Sequence, residues 1–205
     1  METTLLKNPL ADLDKSLKPI EKVMVIISKG TLESVYAGFI LANGARMEGM
    51  EAEIFFTFFG LDAVIKDRLK DIHVATVGNP AMHMPTMLGG LPGMEALATK
   101  MMKSKMEKLD IPPIDEFIEI LSASGCRLWV CKLAFEMFDL KEEDLTPEVE
   151  GILTVGDFYA RAAGEGTQII FISIKTFVLK KSPPRNWWGF LFFLNPTNYF
   201  QYITF

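Results

Sequence analysis

Cysteine and histidine are scarce in this chain, with 2 of each in 205 residues. Two cysteines cannot make the disulfide framework of a small secreted domain. Stability must therefore come from a buried apolar core, and the default compartment is the cytoplasm, where thiols stay reduced. Basic charge is also in short supply. Lysine and arginine total 21 against 26 aspartates and glutamates, for a formal net charge of -5. This excludes nucleic acid as the main partner, because phosphate neutralisation needs a clustered basic surface. Residues 1–21, METTLLKNPLADLDKSLKPIE, mix acids with lysines and hold no continuous apolar stretch. They read as an N-terminal extension rather than a signal peptide. Internal repeats and low-complexity blocks are absent as well.

What remains is a chain with 49% apolar and 23% charged residues, and with 16 Phe and 12 Met as adaptable core or interface material. KVMVIIS at 22–28 is a near-continuous apolar run, as in a strand buried on both faces of a parallel sheet. Thr31 then offers an N-cap, and Leu32, Val35, Tyr36, Phe39, Ile40 and Asn43 recur at helical spacing before an exit at Gly49. EAEIFFTFFG predicts a second strand, LDAVIKDRLKDI a short amphipathic helix and HVATVG a weak strand or extended segment. NPAMHMPTMLGGLPG, at 79–93, is a loop built of Pro, Met and Gly. MEALATKMMKSKMEKL predicts a helix, and another begins near Ile114. CRLWV reads as a strand, CKLAFEMFDL as a short helix, and TPEVEGILTVGDFYARAAGEG as a connection followed by a helix with Asp157 near its start. TQIIFIS closes the series as a strand. Strands alternating with helices describe an α/β fold, a doubly wound and mostly parallel sheet of about five strands with right-handed crossovers.

After Ser173 the character shifts. Residues 174–205 are first basic, then aromatic, and the run from Trp187 to Phe205 is nearly free of charge but broken at Asn195-Pro196. It falls short of the roughly 20 apolar residues of a spanning helix. Three readings stand for this tail. It could be an interfacial anchor on a membrane surface behind Lys180, Lys181 and Arg185, an arm packed on an apolar patch of its own or a neighbouring subunit, or a segment without selected structure.

Ligands of open α/β sheets collect beyond the carboxyl ends of the strands. The first exit, SKGTLES, lacks the upstream glycine and the residue order of a phosphate loop. The N–H groups of Gly30, Thr31 and Leu32, with Ser28 beside them, still form a candidate anion site at a helix N-terminus; a tight turn capped by Thr31 is the plainer reading. The histidines are His73 and His83. His83 stands between Met82 and Met84, a soft donor set suited to Cu(I). With no acid or thiol near it in sequence, no metal and no cofactor is expected. The Met-rich loop is instead read as the adaptable wall of a pocket or subunit contact, with His83 and Met84 as candidate ligand residues.

GCRLWVCKLAF holds both cysteines. Across a strand, residues five apart face opposite sides and lie about 16 Å apart at roughly 3.3 Å per residue, while a disulfide needs Cα atoms within about 7 Å. The pair is therefore not bridged, and the spacing matches neither a CxxC redox motif nor a zinc site. Cys131, at the carboxyl end of the strand and the start of a helix, is the candidate nucleophile. There the free N–H groups and Lys132 favour a thiolate, whereas a small buried hydrophobe is the alternative. Cys126 is assigned to the core.

The stretches VIISKGTLESVYAGFILANGARMEGMEAEIFFTFFGL, MHMPTMLGGLPGMEALATKMMKSKME and CRLWVCKLAFEMF together resemble the DsrE/DsrF/DrsH-like superfamily, in its DsrE2-like branch, over residues 22–173. The resemblance implies a three-layer α/β/α sandwich, usually oligomeric, acting in sulfur relay. It also implies a strand-exit cysteine that carries sulfane sulfur as a persulfide, which falls on Cys131. Sulfur donor and acceptor proteins or small sulfur species are the implied partners, alongside a second copy of the chain. Such relatives commonly read Cys-x-Met-Ser at this point, where this chain reads Cys-Lys-Leu-Ala-Phe. Members of the branch are often labelled peroxiredoxins, but no PxxxTxxC signature occurs. Two alternatives stay open. One is a non-catalytic oligomeric binding module of the same fold, and the other is a membrane-surface adaptor held by the aromatic tail.

Overall fold

A computed structural model describes residues 19–75 and 93–172. Their architecture follows from where apolar side chains can be buried. Five strands are present among the described residues: β1 (Lys22–Ile27), β2 (Glu51–Phe56), β3 (Arg127–Cys131), β4 (Val149–Leu153) and β5 (Thr167–Ile172). All neighbouring pairs are parallel, in the order β4-β3-β2-β1-β5. The chain moves outward from β1 to β4, then returns to place β5 on the other side of β1. Helices therefore cover both faces, and the fold is a three-layer α/β sandwich, as the alternation of runs predicts.

Side-chain alternation sorts the sheet residues. Val23, Val25 and Ile27 of β1, Ala52, Ile54 and Phe56 of β2, and Leu128 and Val130 of β3 line one buried face. On it pack α1 (Leu32–Met47) and α3 (Ile114–Ala123), whose Phe39 and Phe117 meet edge-on at 5.4 Å, with Phe39 6.3 Å from Phe56. α2 (Met94–Glu107) precedes α3 in the chain. The opposite face carries Met24, Glu53, Phe55 and Trp129 and is covered by α5 (Val155–Ala162), whose Phe158 lies 4.9 Å from Phe55. Between β3 and β4 stands a short helix, α4 (Lys132–Met137).

Two local expectations are corrected. LDAVIKDRLKDI does not form one amphipathic helix. A 3-10 segment runs from Phe58 to Val64, and a second covers Leu69–Asp71. Ile65 is drawn into an antiparallel bridge with Leu145, while the Val64 carbonyl accepts from the Thr146 N–H at 2.9 Å, so tertiary pairing pulls the backbone out of a helix there. The other concerns the fifth strand among the described residues: of HVATVG, His73–Ala75 form no strand, and the rest of that run lies outside them. The strand is instead VEGIL, which reads as a connection because Glu150 and Gly151 interrupt it. It sits at the sheet edge, where a register shift opposite Leu128 and Trp129 absorbs the extra residue.

Candidate functional site

Because every strand runs the same way, the exits of β1, β2 and β3 share one edge of the sheet. The register aligns Ile27 with Phe56 and Phe56 with Val130. Cys131 is the last residue of β3 and the N-cap of α4, and only 6% of it is exposed. Alternation puts its side chain on the Trp129 face, whereas Cys126 shares the parity of Leu128 on the α1 face. Both thiols are free. Burial pushes the Cys126 thiol up to about 12, against the pull of the Arg46 guanidinium, so this sulfur stays protonated and belongs to the core.

Strand β2 stands between Cys131 and the predicted site residues that follow β1, Ser28, Gly30 and Thr31, separating β1 from β3 by about 10 Å. The segment Phe58–Val64 fills the edge above it. A Cβ on Gly60 would overlap the carbonyl oxygen of Ile27, and one on Gly30 would overlap the carbonyl oxygen of Phe59, so only glycine admits this approach. Residues of the expected anion site have partners within the fold. Gly30 serves backbone packing, the Leu32 N–H already donates to the His73 carbonyl at 2.8 Å, and the Thr31 hydroxyl donates to Ser34 at 2.9 Å. Ser28 donates to the Ile172 carbonyl at 3.4 Å. Sheet order reverses between β1 and β5, so the topological crevice falls at Ser28, two strands from Cys131.

Beside Cys131, Lys132 pairs with Glu136 one turn on, at 3.8 Å between exposed side chains. Across the β3–β4 pair, Cys131 is opposite Leu153, followed by a reciprocal cap in which Thr154 and Asp157 satisfy each other. Hydrogen bonds from Thr154 hold the Asp157 carboxyl below the usual range, with Lys132 acting in the same direction. His83 and Met84 lie outside the described residues. Among the described residues, no group of three His, Cys, Asp or Glu side chains could hold a metal ion. A cavity of about 370 Å³, lined by Leu32, Tyr36, Leu69, Met106, Ile111 and Ile114, opens on the α1 side of the sheet, the face opposite Cys131.

One buried cluster escapes the motif reading. Glu53 accepts hydrogen bonds from Trp129 Nε1 at 2.7 Å and from Arg161 at 2.7 and 3.2 Å, and pairs with Lys22 Nζ at 2.7 Å. The Arg161 guanidinium lies 4.1 Å from the centre of the Trp129 ring. Burial raises the Glu53 carboxyl, but the hydrogen bonds from Arg161 and Lys22 outweigh it and leave the group below its ordinary value. A glutamate inside the apolar strand EAEIFF is the signal for it. Its role is to pin α5 onto β1, β2 and β3.

The sequence that builds this sheet matches a known class of protein. The model of the DsrE/DsrF/DrsH-like family matches residues 19–170, and the chain belongs to that family. Among individual proteins, it is 34% identical over 138 residues to the sulfur carrier protein DsrE2 of Allochromatium vinosum, spanning 63% of this chain and 86% of that one. It is 26% identical over 159 residues to the uncharacterized protein YrkE of Bacillus subtilis, spanning 74% and 97%. A solved structure of a protein of unknown function from Methanobacterium thermoautotrophicum aligns with 73% of this chain and 97% of its own, at 12% identity and a TM-score of 0.46.

Proposed function

We propose that this protein is a sulfur carrier that holds sulfane sulfur as a persulfide on Cys131. The observation that carries the reading is the position of that thiol. It ends an interior strand at the carboxyl edge of the sheet, while the other cysteine is locked in the core. The family and the similarity to the Allochromatium sulfur carrier protein support the same role. The chemistry needs no triad and no metal. The Cys131 thiolate attacks the outer sulfur of a donor persulfide, the donor S–S bond breaks, and the donor leaves as its own thiolate. An acceptor thiolate then attacks the outer sulfur on Cys131, which departs as thiolate, so the two transfers balance without an external oxidant. Sulfur donor and acceptor proteins, or small sulfur species, are the partners this reading calls for, in a cytoplasmic homo-oligomer.

Intact mass after incubation with inorganic polysulfide tests it, before and after dithiothreitol. One added sulfur atom is expected on the wild type and on Cys126→Ala, reversed by the reductant and missing from Cys131→Ser. An unchanged wild-type mass, or an increment that survives Cys131→Ser, overturns the carrier role.

A second reading, a non-catalytic binding module of the same fold, draws on the shielding of Cys131, which is 6% exposed, and on the Lys-Leu-Ala-Phe that follows it. Native Cys131 that resists iodoacetamide in an otherwise stable oligomer is the outcome that favours this module over the carrier. Attachment to a membrane surface through the run from Trp187 to Phe205 concerns residues outside the described ones; flotation with liposomes, compared with a chain ending at Ser182, tests it.

A further inference from the structure

We infer that the edge beside Cys131 is a docking surface for a basic protein that presents its own cysteine. This inference rests on the sulfur-carrier reading and names the kind of partner it requires. Two segments build the surface. The 3-10 segment after β2 exposes Phe58 by 50% and Phe59 by 62%, and α4 exposes Leu133 by 66% and Met137 by 51%. The segments touch through the rings of Phe59 and Phe138, 5.7 Å apart. Leu133 and Met137 are one helical turn apart and share one face of α4.

Folding does not account for these residues. Rings and aliphatic chains left half in water gain little from burial. Phe58 carries a second cost, because its φ of 46° lies in the left-handed region, where a bulky side chain is strained by roughly 1–2 kcal/mol. Asparagine or glycine would suit that backbone better. An exposed aromatic residue held in a strained turn at a strand exit is accounted for by what it binds.

Charge selects the occupant. From Lys132 to Asp144 the chain carries two lysines against five carboxylates, Glu136, Asp139, Glu142, Glu143 and Asp144. An apolar centre beside an excess of negative charge fits a partner with an apolar tip rimmed by Lys and Arg. A second copy docked through the same patch would set carboxylates against carboxylates, and anionic lipid headgroups would be repelled.

Two fluorescent peptides test this. Each carries one cysteine between leucine and phenylalanine residues, and the two differ only in flanking lysines or glutamates. Anisotropy with the full chain at low salt is expected to show the lysine peptide bound about ten-fold more tightly than its twin. That preference is expected to fade as the Debye length shrinks from about 30 Å to about 3 Å. Phe59→Ser with Leu133→Ser, both at exposed positions, is expected to weaken the lysine peptide about ten-fold, while the thermal midpoint stays put. Equal affinity for the two peptides, or binding indifferent to the two serines, overturns the proposal. So does a dimer in sedimentation that these serines dissolve, or Phe59-dependent binding to phosphatidylserine vesicles. Polysulfide uptake by mass is measured in parallel and keeps the two ideas separate. Normal uptake without peptide selectivity refutes the docking surface alone. Selectivity without uptake refutes the carrier role and leaves the docking surface supported.

Discussion

Replacing Glu53 with alanine tests whether α5 is held to the sheet by charge as well as by the Phe55–Phe158 contact. The side chain of Glu53 is 2% exposed, and its partners Lys22 and Arg161 are only 16% and 25% exposed. Glu53→Ala removes the acceptor of four hydrogen-bonding or ionic contacts and leaves two cations and an indole N–H facing each other. Breaking a buried pair from one side costs about 3–5 kcal/mol. In a chain of this size, 1 kcal/mol moves the midpoint by roughly 2–4 °C, so Glu53→Ala is expected to lower it by about 6–20 °C. Urea unfolding followed by far-ultraviolet circular dichroism measures the loss, and a double-mutant cycle with Arg161→Ala isolates the coupling. The same carboxylate gives the stability a pH dependence. Its folded value lies below the unfolded value of about 4.3, so its contribution is complete above that pH and is lost as pH falls through the lower folded value. A cost below about 1 kcal/mol, as for an exposed pair, together with a coupling near zero, refutes the clamp.

Two further substitutions probe the edge beside Cys131. Gly60→Ala puts a methyl group against the Ile27 carbonyl, 2.8 Å from its carbon, where no flexible side chain can give way; a loss of about 1–3 kcal/mol in urea unfolding is expected, and a change within about 0.5 kcal/mol contradicts the packing. Phe58→Asn relieves the left-handed backbone at a half-exposed position, so stability is expected to hold or rise by up to about 1 kcal/mol while affinity for the lysine peptide falls. A loss above about 1 kcal/mol means that the ring serves the core instead.

Much of the fold is legible in local runs because a strand buried on both faces must be apolar along its length. KVMVII and RLWVC announce themselves in this way, and each is an interior strand; TQIIFI is an equally apolar run and also a strand, although it lies at a sheet edge with Ile169 and Phe171 exposed. VEGIL does not, because Glu150 and Gly151 interrupt its apolar run, which an edge position with half-exposed side chains tolerates. The segment after β2 is also illegible. LDAVIKDRL has helical spacing, but Ile65 pairs with Leu145, 80 positions away in the chain, and no local pattern reports that contact. For the site, Cys131 could be placed from its position between an apolar strand and a helix, and the unbridged pair follows from strand geometry. The occupied N–H of Leu32 could not be foreseen, because its acceptor is His73.

By itself, then, the order of residues determined the layered α/β class and the placing of Cys131 at the exit of an apolar strand and of Cys126 at its entry. These depend on periodicity and on neighbours in the chain. Only the tertiary structure decided the strand order that sets β2 between Cys131 and Ser28. The same holds for the convergence of Lys22, Trp129 and Arg161 on Glu53, and for the exposed aromatic edge formed where Phe59 meets Phe138. Each of those joins residues dozens of positions apart. Such contacts arise when crossovers stack the strands, and that is a property of the packed sheet rather than of any single run.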